Sequence, residues 1–312
     1  MTAVGPAHPH LAADDDRFWA LVAPGAPLER LGTGALWSEG PVYLPASGDV
    51  VWSDIPNNRM LRWSAVDGTT SVFRAPSNFV NGNTLDLDGR IVHCSHGARA
   101  ILRTEQDGSV VTVVDRWHGR RLNSPNDLVV RADGSVWFTD PPYGILSDYE
   151  GYKGESEIRA NNVYRFEPTT GGLDVVVTDV EEPNGLAFSP DGALLYVADT
   201  SAAFGVDGKG NHHIRVYDVL DDRRACNGRL FAEVSPGLAD GFRLDDAGNL
   251  YTSSLDSIQV YDPAGTRLGR ILVPEKVSNC CWGGPGHNVL FVTATSSLYR
   301  IELTARGHGL HW

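Results

Sequence analysis

The sequence has little positive charge and no long apolar run. Its 312 residues include 26 Lys and Arg against 39 Asp and Glu, which gives a formal net charge of −13. An acidic chain without a dense basic patch is unsuited to nucleic acid or to an anionic membrane surface. No apolar stretch is long enough to span a bilayer, and residues 1–16 lack the basic start and apolar core of a signal peptide. We therefore expect a cytoplasmic protein without nucleic-acid or membrane partners.

Cysteine is also scarce. The four cysteines are Cys94, Cys226, Cys280 and Cys281, and their spacing matches no zinc motif. Adjacent cysteines such as Cys280 and Cys281 rarely pair with each other. We expect buried free thiols in a reducing compartment.

Helical periodicity is nearly absent after residue 30, and short β-branched and aromatic runs take its place. One phrase recurs six times, a turn glycine followed by a strand that ends in small or polar residues. The copies are VVWSD after Gly48, IVHCS after Gly89, VWFTD after Gly134, LLYVAD after Gly192, LYTSS after Gly248 and VLFVTA after Gly286. The Asp-Gly pairs among them predict tight hairpin turns in which both central residues take positive φ.

Each copy is followed by a third strand-like run and usually by a fourth. Six four-stranded units, about 40 to 60 residues apart, predict an all-β fold, a six-bladed β-propeller. A strand at residues 28–31 would complete the last blade. We expect residues 1–27 to be a poorly ordered or helical lead-in and residues 28–312 to form a single propeller domain.

A residue with a side-chain oxygen stands about eight positions before each turn glycine. These residues are Glu39, Asn81, Asn126, Asn184, Asp240 and Asn279. They begin the innermost strand of each blade, so their oxygens should meet around the central channel. Carboxylate and amide oxygens suit Ca²⁺ best, Mg²⁺ or Mn²⁺ less, and zinc least. The alternative is that these side chains bond to the backbone in turns.

The ends of the second strands should rim the same mouth, because they lie beside the starts of the first strands. They carry Asp54, Ser95-His96, Asp140, Asp199, Ser254 and Thr293. Long insertions at 141–161 and 200–213 leave this face and should shape a substrate pocket. For Asp54 and Asp199 we favour a role in holding the turns between blades.

Several motifs together resemble one family. They are WSEGPVY at 37–43, WSDIPNNRMLRW at 52–63, NGNT at 81–84, LNSPNDLVV at 122–130, WFTDPPYG at 137–144 and PNGLAFSPD at 183–191. On these the chain resembles the gluconolactonases of the regucalcin-like (senescence marker protein) superfamily. The resemblance runs from about residue 28 to residue 303.

The resemblance implies one divalent cation, most commonly Ca²⁺, with Zn²⁺, Mg²⁺ and Mn²⁺ as alternatives. Its ligands would be Glu39, Asn126, Asn184 and Asp240, with Asp240 as general base and Asn126 also touching substrate. Further candidates for substrate contact are His96, Asn81, Arg121, Asp127, Asp140 and Tyr143. His96 is a second candidate base, and Asp127 could orient Asn126. The chain departs from relatives of this type at Ser95, Ser124 and Asn279.

The predicted function is therefore a metal-dependent hydrolase that opens a small, sugar-type lactone to the hydroxy acid. We expect a monomer or small homo-oligomer. The alternatives are a metal-dependent hydrolase of other esters or phosphotriesters, and a calcium-binding propeller without catalysis. A nucleophilic serine is disfavoured, since no serine stands in a nucleophile-elbow motif.

Overall fold

The computed structural model describes residues 9–23, 25–203 and 209–309, and these form six antiparallel β-sheets of four or five strands and one separate two-stranded hairpin. Each innermost strand packs on the innermost strand of the next sheet, and that of the sixth sheet packs on that of the first. The sheets therefore close into a ring, and the predicted six-bladed β-propeller is confirmed.

Within each blade the strands run from the axis outwards in chain order. The innermost strands are Ser38–Leu44, Val80–Leu85, Leu128–Val130, Pro183–Phe188, Phe242–Leu244 and Val277–Gly283. The second strands are Asp49–Asp54, Ile91–Ser95, Val136–Asp140, Leu194–Asp199, Leu250–Ser253 and Val289–Ala294. The third strands are Arg59–Trp63, Ala100–Thr104, Asn162–Glu167, His213–Leu220, Ser257–Tyr261 and Ser297–Glu302. The outer strands of the first five blades are Thr70–Arg74, Val110–Val114, Gly172–Val177, Arg224–Glu233 and Arg267–Leu272.

The N-terminal segment completes the last two blades. Glu29–Thr33 pairs with Ser297–Glu302 as the outer strand of blade six, so the closure predicted for residues 28–31 is confirmed. Leu11–Ala13 pairs with Arg267–Leu272 as a fifth strand on blade five. Part of the segment expected as a lead-in thus joins a blade, while residues 1–8 lie outside the described residues.

Apolar contacts between neighbouring blades form the core. Each hydrophobic cluster among the described residues joins two adjacent blades; Val42 and Val80, for example, belong to one that joins the first two. The short 3₁₀ helix Asp16–Ala20 inserts the fully buried Phe18 between blades five and six. A single blade could not cover both of its apolar faces, which is why the ring is needed.

The hairpin turns differ from the prediction in one respect. Gly89, Gly134 and Gly192 have positive φ, but the Asp before each does not. In the last two of these turns that Asp side chain instead caps the turn, with Asp133 Oδ1 accepting from Ser135 N at 2.9 Å, while in the first turn Asp86 takes this role. In the sixth turn the left-handed residue is His287, next to the predicted Gly286.

A few elements lie outside the blades. They are the hairpin Arg116–Trp117 with Arg120–Arg121, the helix Tyr143–Leu146 and the 3₁₀ turn Ser201–Ala203. None of the described helices has the length and apolar composition needed to cross a membrane. All four cysteines are free, as predicted; Cys94, Cys280 and Cys281 are buried, whereas Cys226 is half-buried and departs from the prediction.

Candidate active site

Glycines let the innermost strands approach one another where they begin. A Cβ on Gly40 would lie 2.2 Å from the carbonyl oxygen of Asn81, and one on Gly185 would lie 2.2 Å from that of Asp240. The amide of Gly185 donates to the latter carbonyl at 3.0 Å. Since these glycines directly follow Glu39 and Asn184, close approach brings the preceding side chains to the axis. We call the six predicted residues at these positions the axial site: Glu39, Asn81, Asn126, Asn184, Asp240 and Asn279.

Three buried aspartates fix the backbone that leads into the axial site. Each ends a second strand and accepts a hydrogen bond from the amide three positions before an axial residue. The pairs are Leu36 N with Asp54 Oδ1 at 2.9 Å, Asn123 N with Asp140 Oδ2 at 2.8 Å and Glu181 N with Asp199 Oδ2 at 3.0 Å. Asp54 and Asp199 therefore hold the turns as expected. Asp140 does the same and is fully buried.

The axial site contains two carboxylates, and the negative charge of Asp240 acts on Glu39. Glu39 is buried, and its Oε2 accepts hydrogen bonds from Gly40 N at 2.6 Å and Asn279 Nδ2 at 3.0 Å. Burial raises the pKa of Glu39 well above its usual range, and the negative charge of Asp240 adds to this. Burial also raises the pKa of Asp240 to about 7, against the lowering effect of Lys276. The two acids thus lie where a positive charge would be strongly favoured.

Asn126 and Asn184 carry two further side-chain amides of the axial site. Asn184 Nδ2 donates to Thr200 Oγ1 at 3.3 Å, which leaves its Oδ1 for a ligand. The side chain of Asn126 makes no hydrogen bond to any described residue. Both side chains are therefore available to a bound group.

Asn81 is held by His96. The imidazole Nδ1 donates to the carbonyl of Glu150 at 2.9 Å, so Nε2 accepts from Asn81 Nδ2 at 3.3 Å. Burial lowers the pKa of His96 to about 4, and the ring is neutral at neutral pH. The Oδ1 of Asn81 is then buried without a partner among the described residues. His96 is 1% exposed, and its hydrogen bond positions Asn81.

Asn279 differs from the other five axial residues. Its Oδ1 accepts from Cys280 N at 2.8 Å, and its Nδ2 points to Glu39. The expectation that all six side-chain oxygens converge is therefore wrong at this position, because the local backbone takes the oxygen. Asn279 acts as a donor that orients the Glu39 carboxylate.

The donor chemistry of the axial site fits a hard divalent cation. Among the described residues no three His, Cys, Asp or Glu side chains cluster as a metal site, so any ligand set must include amide oxygens. Two repelling carboxylates with amide oxygens beside them, one of these unpartnered, match the oxygen ligands that Ca²⁺ takes.

The remaining predicted residues are Tyr143, Asp127 and Arg121, and their hydrogen bonds show where each is held. The hydroxyl of Tyr143 hydrogen-bonds to Thr200 Oγ1, the group that also orients Asn184. Asp127 accepts from its neighbour Leu128 N at 2.8 Å and from Arg243 Nη1 at 3.3 Å, and it makes no hydrogen bond to Asn126. Arg121 donates to the carbonyl of Ala98 at 3.3 Å. The structure does not bring the Arg121 side chain to the axial site.

Three charged residues at the mouth escaped the sequence prediction. Burial raises the pKa of Glu150 and of Glu182 to about 7. Lys276 lies over the indole of Trp37, with Nζ 5.1 Å from the centroid, and it lowers the pKa of both Glu150 and Asp240. A signal existed for Lys276, since it stands three positions before Asn279, where three other blades carry their anchored amide. Glu150 lies in an insertion whose conformation no repeat predicts.

Comparison with known proteins gives consistent matches. A family model described as SMP-30/Gluconolactonase/LRE-like region matches residues 37–296. A gluconolactonase from Zymomonas mobilis subsp. mobilis is 33% identical, over 93% of this chain and 85% of its own length. A pentonolactonase from Haloferax volcanii is 27% identical, over 88% of this chain and 94% of its own. The structure of a gluconolactonase from Xanthomonas campestris aligns with a TM-score of 0.87 at 38% identity, covering 96% of this chain and 99% of that one.

Proposed function

This chain belongs to the SMP-30/gluconolactonase/LRE-like family, and on that premise we propose that it opens a small sugar-type lactone to the corresponding hydroxy acid. It is a lactone hydrolase, in keeping with relatives named gluconolactonase and pentonolactonase that align over most of their length. We assign this activity to the axial site. The supporting observation is that the Glu39 and Asp240 carboxylates lie together with unpartnered amide groups at one end of the axis.

A divalent cation would be held by Glu39, Asn126, Asn184 and Asp240. We propose Ca²⁺ first, with Mg²⁺, Mn²⁺ and Zn²⁺ as alternatives, because the donors are all oxygens. When bound, such an ion supplies Lewis acidity to the lactone carbonyl.

Asp240 and Asn126 carry the residue chemistry. The Asp240 carboxylate takes a proton from the attacking water as the new carbon–oxygen bond forms at the carbonyl carbon. The bond between that carbon and the ring oxygen then breaks, and the proton is delivered to the ring oxygen as the alcohol. The Asn126 side-chain amide, which has no hydrogen-bond partner among the described residues, orients the carbonyl end of the substrate.

The mouth supports a polyhydroxylated substrate. Glu150 and Glu182 are half-buried, and Lys276 is exposed at its edge. Carboxylates and an ammonium group at a pocket rim provide acceptors and donors for several hydroxyl groups. This is the reason to propose a sugar lactone over an apolar one.

We also place the protein in the cytoplasm. Its four unpaired cysteines support a reducing compartment, and the net charge of −13 does not favour an anionic surface as partner.

The test is a pH-stat assay on glucono-1,5-lactone, a pentonolactone and γ-butyrolactone, before and after complete removal of metal. We expect turnover of at least one sugar lactone, loss of that turnover with chelator, and recovery with Ca²⁺. Turnover that survives complete metal removal would contradict the proposed cation. Stoichiometric metal binding without hydrolysis of any lactone would contradict the proposed activity and favour a binding protein.

A further inference from the structure

The innermost strands begin at the axial site, and where they end they line a cavity. It measures about 470 Å³ and receives residues from all six blades. One wall residue from each blade is Val42, Leu85, Val130, Phe188, Leu244 and Trp282. We call this the far cavity. The lining is mainly apolar, and its volume is within the range of pockets that hold small metabolites.

Arg243 brings positive charge into this apolar space. Its Nη1 donates to Phe242 O at 2.7 Å and to Asp127 Oδ2 at 3.3 Å. Its Nε and Nη2 have no hydrogen-bond partner among the described residues, yet neither is closed off from solvent. Since Arg243 lines the far cavity, these donors are available to a group bound there.

Other charged or titratable side chains also line the far cavity. Arg131 lies over Phe188, with its guanidinium carbon 4.4 Å from the ring centroid, and His287 and His308 complete one side. The acid in the wall, Asp191, is engaged in its own turn, where Oδ1 accepts from Ser189 Oγ at 2.6 Å and from Ala193 N at 3.0 Å. Arg131 is itself paired with Asp222, Nη2 to Oδ1 at 2.5 Å, so we assign the contact with a bound group to the remaining donors of Arg243.

The far cavity is separate from the axial site. Arg243 follows Asp240 by three residues, which corresponds to about 10 Å along an extended strand. The Arg243–Asp127 ion pair spans blades five and three between the two spaces. A ligand in the far cavity would therefore not occupy the lactone site.

We propose that the far cavity binds a small organic anion, whose carboxylate or phosphate pairs with Arg243 while its body lies on the apolar wall. The guanidinium fork suits both kinds of oxyanion, because two parallel N–H groups match two oxygens. This site is independent of the lactone chemistry proposed above.

Isothermal titration calorimetry of the full-length protein tests this with three probes, inorganic phosphate, gluconate and benzoate. We expect at least one to bind saturably with a Kd below about 1 mM. Arg243→Gln should weaken that binding at least tenfold, and Thr84→Trp should do the same by filling the cavity that Thr84 lines. Arg223→Gln removes an equal charge from an exposed position and should leave it unchanged. Phosphate and the two carboxylates separate the two anion classes.

Three results would overturn the proposal. These are no saturable binding of any probe, binding that Thr84→Trp leaves intact, and binding that is lost in Asp240→Asn, which would place the anion in the axial site. If circular dichroism shows that Arg243→Gln does not fold, Thr84→Trp decides alone.

Discussion

The two ends of the innermost strands present different charged groups, carboxylates at one end and guanidinium groups at the other, although the same six strands build both. At the axial site burial and the charge of Asp240 raise the pKa of Glu39, whereas the far cavity is lined by the guanidinium groups of Arg243 and Arg131. Between them, Asp127 and Arg243 form a nearly buried pair. The difference teaches that in this propeller only a few residues along the same strands separate the proposed cation site from the proposed anion site.

The wall between the two ends also contains a polar network. Asn83 donates to Gly40 O at 2.7 Å and Ser53 Oγ at 3.0 Å, which ties blade two to blade one. Its Oδ1 accepts from His93 Nδ1 at 2.6 Å. Changes to the two ends or to this wall should therefore have distinguishable effects.

The largest effect is expected at the axial site. Asp240→Asn keeps the shape of the side chain but removes its charge, so we expect a loss of about 10³-fold or more in kcat/KM for the lactone. Asp174→Asn removes a charge from an exposed strand and should match the wild type. The pH-stat assay measures both, with circular dichroism to show that each is folded. Near wild-type activity in Asp240→Asn would exclude it as the general base.

Next is the ion pair between the ends. Arg243→Gln leaves Asp127, 2% exposed at its side chain, without its cation, and we expect the free energy of unfolding to fall by about 3 kcal/mol. Adding Asp127→Asn should restore more than half of this, as urea denaturation of the two single variants and the double variant will show. A double variant less stable than either single one would mean that the pair does not hold the wall.

Low pH should destabilise the protein by protonating His93 of this network when the chain unfolds. Burial, followed by the charge of Arg74, lowers its pKa from 6.5 to about 3, so the unfolded chain binds the extra proton more readily. The contribution of neutral His93 to the free energy of unfolding is then fully present above about pH 6.5. It falls as the pH drops, by about 3 kcal/mol near pH 4. Urea midpoints measured across this range should decline less in His93→Gln than in the exposed control His118→Gln. Equal slopes would remove His93 as the cause.

The smallest effect concerns the close approach of strands. A Cβ at Gly241 would lie 2.0 Å from Asn279 Cγ, so Gly241→Ala should lower the free energy of unfolding by about 1 to 3 kcal/mol and disturb the donor of Glu39. Gly154→Ala meets nothing closer than 3.7 Å and serves as the control. Equal melting temperatures for Gly241→Ala and Gly154→Ala would show that the strands can move apart without a loss of stability.

The sequence predicted the fold and the axial positions well because both depend on a repeated spacing. Antiparallel strands have a fixed rise, so a constant count back from each turn glycine reaches the same height in every blade. The count identified Glu39 and Asp240 before any family resemblance was used. It could not foresee that Asn279 gives its oxygen to the backbone of Cys280, because amide orientation depends on local backbone geometry.

Features that do not follow from the repeated spacing were predicted less well. Glu150 comes from an insertion that occurs in one blade, and the Arg243–Asp127 pair joins blades five and three through side chains alone. In the turns, Asp side chains accept backbone hydrogen bonds and so avoid the positive φ that the Asp-Gly pairs suggested. These features depend on contacts between residues far apart in the chain, which no local pattern encodes.

Attachment of Glu29–Thr33 to Ser297–Glu302 has a consequence for synthesis. During translation the partner of this early strand leaves the ribosome some 270 residues later, as the separation of 271 between Arg300 and Glu29 shows. Until then its edge is open to pairing with other nascent chains, and ring closure must be among the last events of folding. A chaperone that shields exposed strands would be most useful to this protein before its C-terminal blade is complete.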